Sequence, residues 1–318
     1  MSFLILQSLR REELDAAAEA RWAAIVEARP ELASAAALQR RLIARVADLM
    51  QTIEASPLPR LSLPPRYLAA KLARGIPVLA GEPLPLPIGP LGEALVALCG
   101  DLAEGGAGDA AEHIRNSIER GELDAGSLLG ASLARDQHAI RTGALHRGLA
   151  PDLVWLLAEL AVGPFAFLLQ RALLSRPVEA AAEDEAVSPV AAALDEWPHG
   201  HCPACGSWPA MAEVVDGRRG LRCSFCAAAW ELPRYACVYC GEEGDRFVTA
   251  APDSERKDRR LELCGACGGY LKTIDTFAFS PFPLLSVADL ETMDLDLAAM
   301  EHGYRRPPLK EFGGMRQP

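Results

Sequence analysis

The sequence predicts an α-helical protein that ends in small metal ribbons. An all-helical N-terminal domain is followed by two four-cysteine modules of rubredoxin-like or zinc-ribbon-like type. Three observations lead there. Apolar residues recur at helical spacing through the first 175 of the 318 residues. Alanine is abundant and aromatic residues make up only 6%, which favours helix over sheet. Eight of the nine cysteines fall between 202 and 267, in four Cys-x-x-Cys pairs.

Residues 12–54 place Leu38, Leu42, Ile43, Val46 and Leu49 at helical spacing, and Pro30 divides the stretch into two helices. Nine prolines between 57 and 90 exclude continuous helix, leaving an extended or turn-rich connection with a short helix near 66–74. Helical patterns resume over 91–104, 107–120, 124–142 and 151–174, with Asp109 and Asp124 as N-caps. The GGAG at 105–108 follows no strand and reads as a loop. Residues 153–174 are the most apolar run, but Glu159, Gly163-Pro164, Gln170 and Arg171 interrupt it. Two buried helices meeting at Gly163-Pro164 are expected there rather than a membrane span. Cys99, in ALVALCG, is expected in the core.

The composition shifts at 176–200, where RPVEAAAEDEAVSPV is acidic and short of large apolar residues. It reads as a linker with helical turns near 191–196. From 201 to 276 helical periodicity disappears, and 211–215, 221–223 and 246–250 look like strands. Residues 277–318 form a C-terminal tail with a short helix or two at 284–302.

Seventeen residues separate Cys202/Cys205 from Cys223/Cys226, ten separate that pair from Cys237/Cys240, and twenty-three separate the latter from Cys264/Cys267. A pair, a loop and a second pair is the spacing of a four-thiolate metal site. Two thiolates three positions apart on a tight turn can take two corners of a tetrahedron, about 2.3 Å from the ion. Sequential pairing groups 202, 205, 223 and 226, then 237, 240, 264 and 267; interleaved pairing would join the first pair to the third. Sequential pairing is favoured because each half is then a self-contained ribbon, with 227–236 simply joining them. Gly206, Gly241 and Gly268 follow three of the pairs, as a turn with positive φ requires, and Ala227 departs from that pattern.

A redox disulfide would need a strand–helix setting that is not visible, and a disulfide framework suits secreted chains. Zinc and iron both suit four thiolates. With all eight thiols used as ligands, no position stays open for substrate, which argues against metal catalysis. His199 and His201 flank the first pair and are expected beside the metal shell, not in it. His113, His138, His146 and His302 show no ligand spacing, and no nucleotide-binding or nucleophile motif is present.

A net charge of −11 disfavours nucleic acid as a partner. Arg256, Lys257, Arg259 and Arg260 are the basic run, expected as a solvated loop. The opening MSFLILQSLRREELD sets charges where an export signal needs apolar residues, so the chain is expected to be cytoplasmic, without membrane insertion.

The stretches CPACGSWPAMAEV, GLRCSFCAAAWELPRYACVYCGEEG and LELCGACGGYLKTIDT, with ADLETMDLDLAAMEHGYRR at 288–306, resemble the formate dehydrogenase accessory protein family, FdhE. The likeness covers about 200–306, a third of the chain; the helical part agrees only in size and class. It implies a cytoplasmic, non-catalytic chaperone-like factor in the maturation of respiratory formate dehydrogenases. It also implies rubredoxin-like iron binding, the catalytic subunit as partner, and the eight cysteines as ligands. Trp230, Arg234, Tyr270 and Lys272 lie at family-like positions, without assigned roles. The sequence expectation is therefore an assembly factor with two metal ions, iron or zinc, and no enzyme activity; self-association is left open. The alternative is a rubredoxin-like redox protein that transfers electrons during cofactor maturation.

Overall fold

The computed structural model describes residues 3–4, 6, 9–55, 63–174, 188–251 and 256–309. Much of the expected linker, 176–187, lies outside the described residues. Helices form where apolar spacing and punctuation agree. α1 (Arg11–Ala28) and α2 (Ala33–Glu54) are separated by a 3-10 turn at Pro30–Leu32. α3 (Pro65–Ala73) is the short helix inside the proline-rich stretch, with proline in its first turn. α4 (Ile88–Leu102), α5 (Gly108–Glu119), α6 (Ala125–Leu133), α7 (Gln137–His146) and α8 (Pro151–Leu174) follow.

Asp124 caps α6 by accepting from Ser127 N–H at 2.8 Å, and Asp136 caps α7 through Ala139 N–H at 2.9 Å. Asp109 lies one residue inside α5 and is not its cap. The expected helix over 124–142 is two helices, because Arg135 between them takes a left-handed φ of +61°.

α8 corrects the expectation of two helices: it runs unbroken through Pro164. Losing one backbone hydrogen bond there costs about 3 kcal/mol. Leu157, Val162, Phe165 and Phe167 are fully buried around that point, and each such side chain contributes about 1.5–3 kcal/mol. Burial therefore outweighs the proline. α8 is long and apolar enough to cross a membrane, and 67% of its most apolar window is buried within the protein.

The chain divides into two compact units. Leu9–Arg60 with Pro83–Leu169 form the helical one; Met1–Ser8, Leu61–Glu82 and Gln170–Pro318 form the other. The sequence reading kept 1–175 together, whereas here Leu61–Glu82 groups with the cysteines. The local cause is apolar: α3 packs on α9 (Pro189–Asp195), with Leu68, Leu72, Val190 and Leu194 buried. The N-terminal part is also not wholly helical, since Phe3–Leu4 is a strand.

That strand, β1, joins β2 (Pro209–Val215), β3 (Arg218–Cys223), β4 (Ala229–Trp230), β5 (Phe247–Ala250), β6 (Arg259–Cys264) and β7 (Tyr270–Asp275) in one seven-stranded sheet. The order is β1-β4-β3-β2-β7-β6-β5. Neighbours are antiparallel except β2 and β7, which pair in parallel from Met211↔Lys272 to Val214↔Asp275. The two cysteine modules are thus halves of a single sheet, not separate ribbons on a linker. α10 (Leu285–Glu291) closes over Met211 and Ile274, and α11 (Met293–Glu301) over Leu261 and Tyr270.

Charged residues face inward on this sheet, each with a partner. Glu262 takes two bonds from Arg219, at 2.7 and 2.5 Å, and one from the Thr273 hydroxyl at 2.8 Å. Lys272 sits 2.6 Å from both Asp289 and Asp296. Glu213 and Arg222 form a fully buried ion pair, and Glu213 also accepts from Ser280 N–H at 3.0 Å and its hydroxyl at 2.5 Å. Removing one member of such a pair strands the other charge. Glu213→Ala is expected to destabilise the unit by about 3–5 kcal/mol, read as a lower denaturant midpoint followed by fluorescence of the buried Trp230.

Candidate metal centre

Each Cys-x-x-Cys pair sits on a turn whose shape the backbone dictates. Cys202, Cys223, Cys237 and Cys264 each donate N–H to the carbonyl five residues on, at 2.8–2.9 Å. Gly206, Gly241 and Gly268 return an N–H to the first cysteine's carbonyl at 2.8–2.9 Å, with φ of +86°, +78° and +70°. Ala227 takes the same left-handed conformation at φ +52°. The departure from glycine changes the cost of this turn, not its form.

The four turns bring the sulfurs together in sequential order. Cys202, Cys205, Cys223 and Cys226 form one group and Cys237, Cys240, Cys264 and Cys267 the other, with each group's sulfurs within 4.8 Å of one another. Across the first group Cys202–Cys226 is 3.7 Å and Cys205–Cys223 is 3.4 Å; across the second, Cys237–Cys267 is 3.7 Å and Cys240–Cys264 is 3.6 Å. A tetrahedron with arms of 2.3 Å has edges of about 3.8 Å. The donor sets therefore fit a thiophilic tetrahedral ion such as zinc or iron. Such an ion would supply cross-linking energy if zinc, and one-electron chemistry as well if iron.

Electrostatics agree with that fit. Burial pushes the Cys202 and Cys226 thiols well up, so these two shed their protons in this apolar place only if a bound cation compensates the charge. Cys223 accepts from the backbone N–H of Phe225 and Cys226, both at 3.4 Å. In the second group burial raises Cys267 to about 11. Burial raises Cys264 too, but hydrogen bonds from the N–H groups of Cys267 and Ala266 and from Cys240 and Cys237 together bring that thiol below its ordinary value. All four thiols of the first group are buried, whereas Cys240 and Cys267 of the second are exposed.

Residues the sequence did not single out, together with the two histidines it set beside the first pair, surround these groups. Val78 N–H donates to Pro203 O and Leu79 N–H to Ala204 O, both at 2.9 Å, so the segment after α3 lies on the first turn. His201, beside Cys202, is buried, stacks on His199 at 5.0 Å and places Nε2 3.4 Å from Gly75 O. Gly200 passes so near the second group's turn that a Cβ there would stand 1.8 Å from Val238 O. Position in the chain sets the histidines beside the first pair, whereas the proline density of 57–90 marks an irregular segment without locating it on the first turn.

The four positions without assigned roles are structural neighbours. Trp230 is buried and donates to His199 O at 3.3 Å, and Arg234 meets Glu243 at 3.3 Å on the surface. Tyr270 donates to Asp296 at 2.8 Å, beside Lys272. Among the described residues no further group of His, Cys, Asp or Glu gathers like a metal site. Cys99 is buried with its thiol pushed up to about 11, as a core residue would be. Arg256, Arg259 and Arg260 each face an acid, namely Asp258, Asp294 and Asp275.

Comparison with known proteins gives a consistent picture. No family model matches the chain. A protein described as "Protein FdhE homolog" from Aquifex aeolicus is 35% identical over 118 residues, 35% of this chain and 40% of its own length. The homologue from Pseudomonas putida is 38% identical over 117 residues, 33% of this chain and 36% of its own. The alignments thus span about two fifths of these relatives. The crystal structure of the FdhE protein from Pseudomonas aeruginosa superposes with a TM-score of 0.62 at 25% identity, covering 99% of this chain and 100% of that one.

Two outcomes follow from the turns and the thiols. Ala227→Gly relieves a left-handed alanine and is expected to stabilise the unit by about 1 kcal/mol, measured by chemical unfolding of the metal-loaded chain. Ions on four thiolates contribute on the order of 10 kcal/mol of folding energy. Metal stripping is therefore expected to abolish hydrogen-exchange protection over 201–275 and over Val78 and Leu79, while α1, α2 and α4–α7 keep theirs. Uniform loss across both units would contradict this.

Proposed function

Because this chain belongs to the FdhE family, we propose that it is a cytoplasmic, non-catalytic accessory factor that binds the catalytic subunit of a formate dehydrogenase during maturation. Its eight paired cysteines, Cys202, Cys205, Cys223, Cys226, Cys237, Cys240, Cys264 and Cys267, would hold two metal ions per chain, iron or zinc. The observation that most supports this reading is the completeness of both sulfur groups. Each has four converging donors from the chain itself, which suits an ion that shapes a surface and leaves no corner for a substrate. The net charge of −11 suits a partner with basic patches, met by electrostatic steering.

A second reading, a rubredoxin-like electron carrier, draws on one specific observation. His201 lies 6.1 Å from Trp208, and Trp208 lies 5.2 Å from Tyr239, centre to centre. These rings lead from the residue beside Cys202 to the residue between Cys237 and Cys240. Zinc has no redox chemistry, so the metal decides between the readings.

Tagged protein recovered from its native host is expected to retain the formate dehydrogenase catalytic subunit and to hold two metal equivalents by elemental analysis. Recovery of well-folded, metal-replete protein without that subunit would overturn the accessory reading. Zinc in both sites would remove the electron-carrier reading.

A further inference from the structure

The two sulfur groups differ in what covers them. Over the first lies the segment 74–82. Its Val78 and Leu79 amides bond to the Pro203 and Ala204 carbonyls, between the two cysteines of the turn, and both side chains are buried. Lys71 holds this segment in shape. Its ammonium donates to Val78 O at 2.9 Å, to Ala80 O at 2.7 Å and to Glu82 at 2.5 Å, all away from solvent. All four cysteines of this group are buried, with that segment bonded to the turn that carries two of them.

Among the described residues, the second group is less covered. Cys240 and Cys267 are exposed. A cavity of about 580 Å³ opens against Cys237 and Cys240, with Trp208, Tyr239, His199 and Arg234 among its walls. That is room for a small molecule beside two of the four cysteines of this group.

We propose that the second group is an exchange site and the first a sealed one. The cavity admits a small thiol that carries metal to or from Cys237, Cys240, Cys264 and Cys267, while Lys71 and Glu82 keep exogenous ligands from the first group. On removal the ion passes from the chain's thiolates to those of the carrier, and the chain's thiols take up the protons the carrier gives up. No electrons change owner. This goes beyond the accessory reading and does not depend on it, because it concerns the isolated chain.

The test uses the full chain loaded with two equivalents of zinc, mixed with a chromophoric chelator and increasing dithiothreitol. One equivalent is expected to leave in a fast phase whose rate rises with dithiothreitol. The other should leave about tenfold or more slowly and independently of dithiothreitol, because it awaits local opening. Brief N-ethylmaleimide treatment read by mass spectrometry should label Cys240 and Cys267 before Cys202, Cys205, Cys223 and Cys226. Glu82→Gln is expected to speed the slow phase and leave the fast one unchanged. A single phase for both equivalents, a fast phase indifferent to dithiothreitol, or equal labelling of the two groups would each overturn the proposal. The labelling uses the unaltered chain, so it holds even if Glu82→Gln fails to fold.

Discussion

Four tight turns, each aiming two sulfurs at a common point, are the constraint from which the cysteine-bearing unit is built. Each turn needs a left-handed residue after its second cysteine and a carbonyl five residues on to receive the first cysteine's N–H. Once those bonds are in place, the chain leaves each turn with a fixed direction, and β3, β6 and β7 run from or into them. Sulfurs this close, without disulfide bonds and in places where burial disfavours their anions, can ionise together only beside a shared cation. The turns therefore unite geometry and electrostatics: the shape that orders the sheet is also the shape that gathers the donors.

The two four-cysteine groups were legible in the sequence because their signal is local. Spacing and glycine positions identify a turn within a handful of residues, and the sequential grouping followed. Helices with clear punctuation were legible for the same reason, down to the cap at Asp124. β6 and β7 were not, because Glu262 and Lys272 place charges where a buried strand would be expected to carry apolar residues. Only the distant partners Arg219, Asp289 and Asp296 make those positions tolerable, and no local window contains them. α8 misled for a related reason: a proline breaks an isolated helix, but burial on every side of Pro164 holds this one together.

Sheet continuity changes how the two groups relate. The parallel pairing of β2 with β7 joins the strand that follows the first turn to the strand that follows the last. Gly200 and Val238 bring the approaches to the first and third turns into contact. The two groups are thus joined through backbone contacts as well as through one sheet. A chain of self-contained beads would lack that property, and the expectation of such beads rested on treating 227–236 as a mere connector.

The composition of the units carries a consequence for biosynthesis. Residues 3–4 and 61–82 leave the ribosome before the helices of 83–169, yet their hydrogen-bonding partners lie at 203–204 and 229–230. At 5–20 residues per second, roughly ten seconds pass between residue 82 and residue 203. During that interval the α3 segment, with Leu68, Leu72, Val78 and Leu79, lacks α9 and the first cysteine turn, against which it packs in the folded chain. The helical unit is in effect two insertions into the ribbon unit, so a nascent chain must keep its earliest segments waiting for its last third.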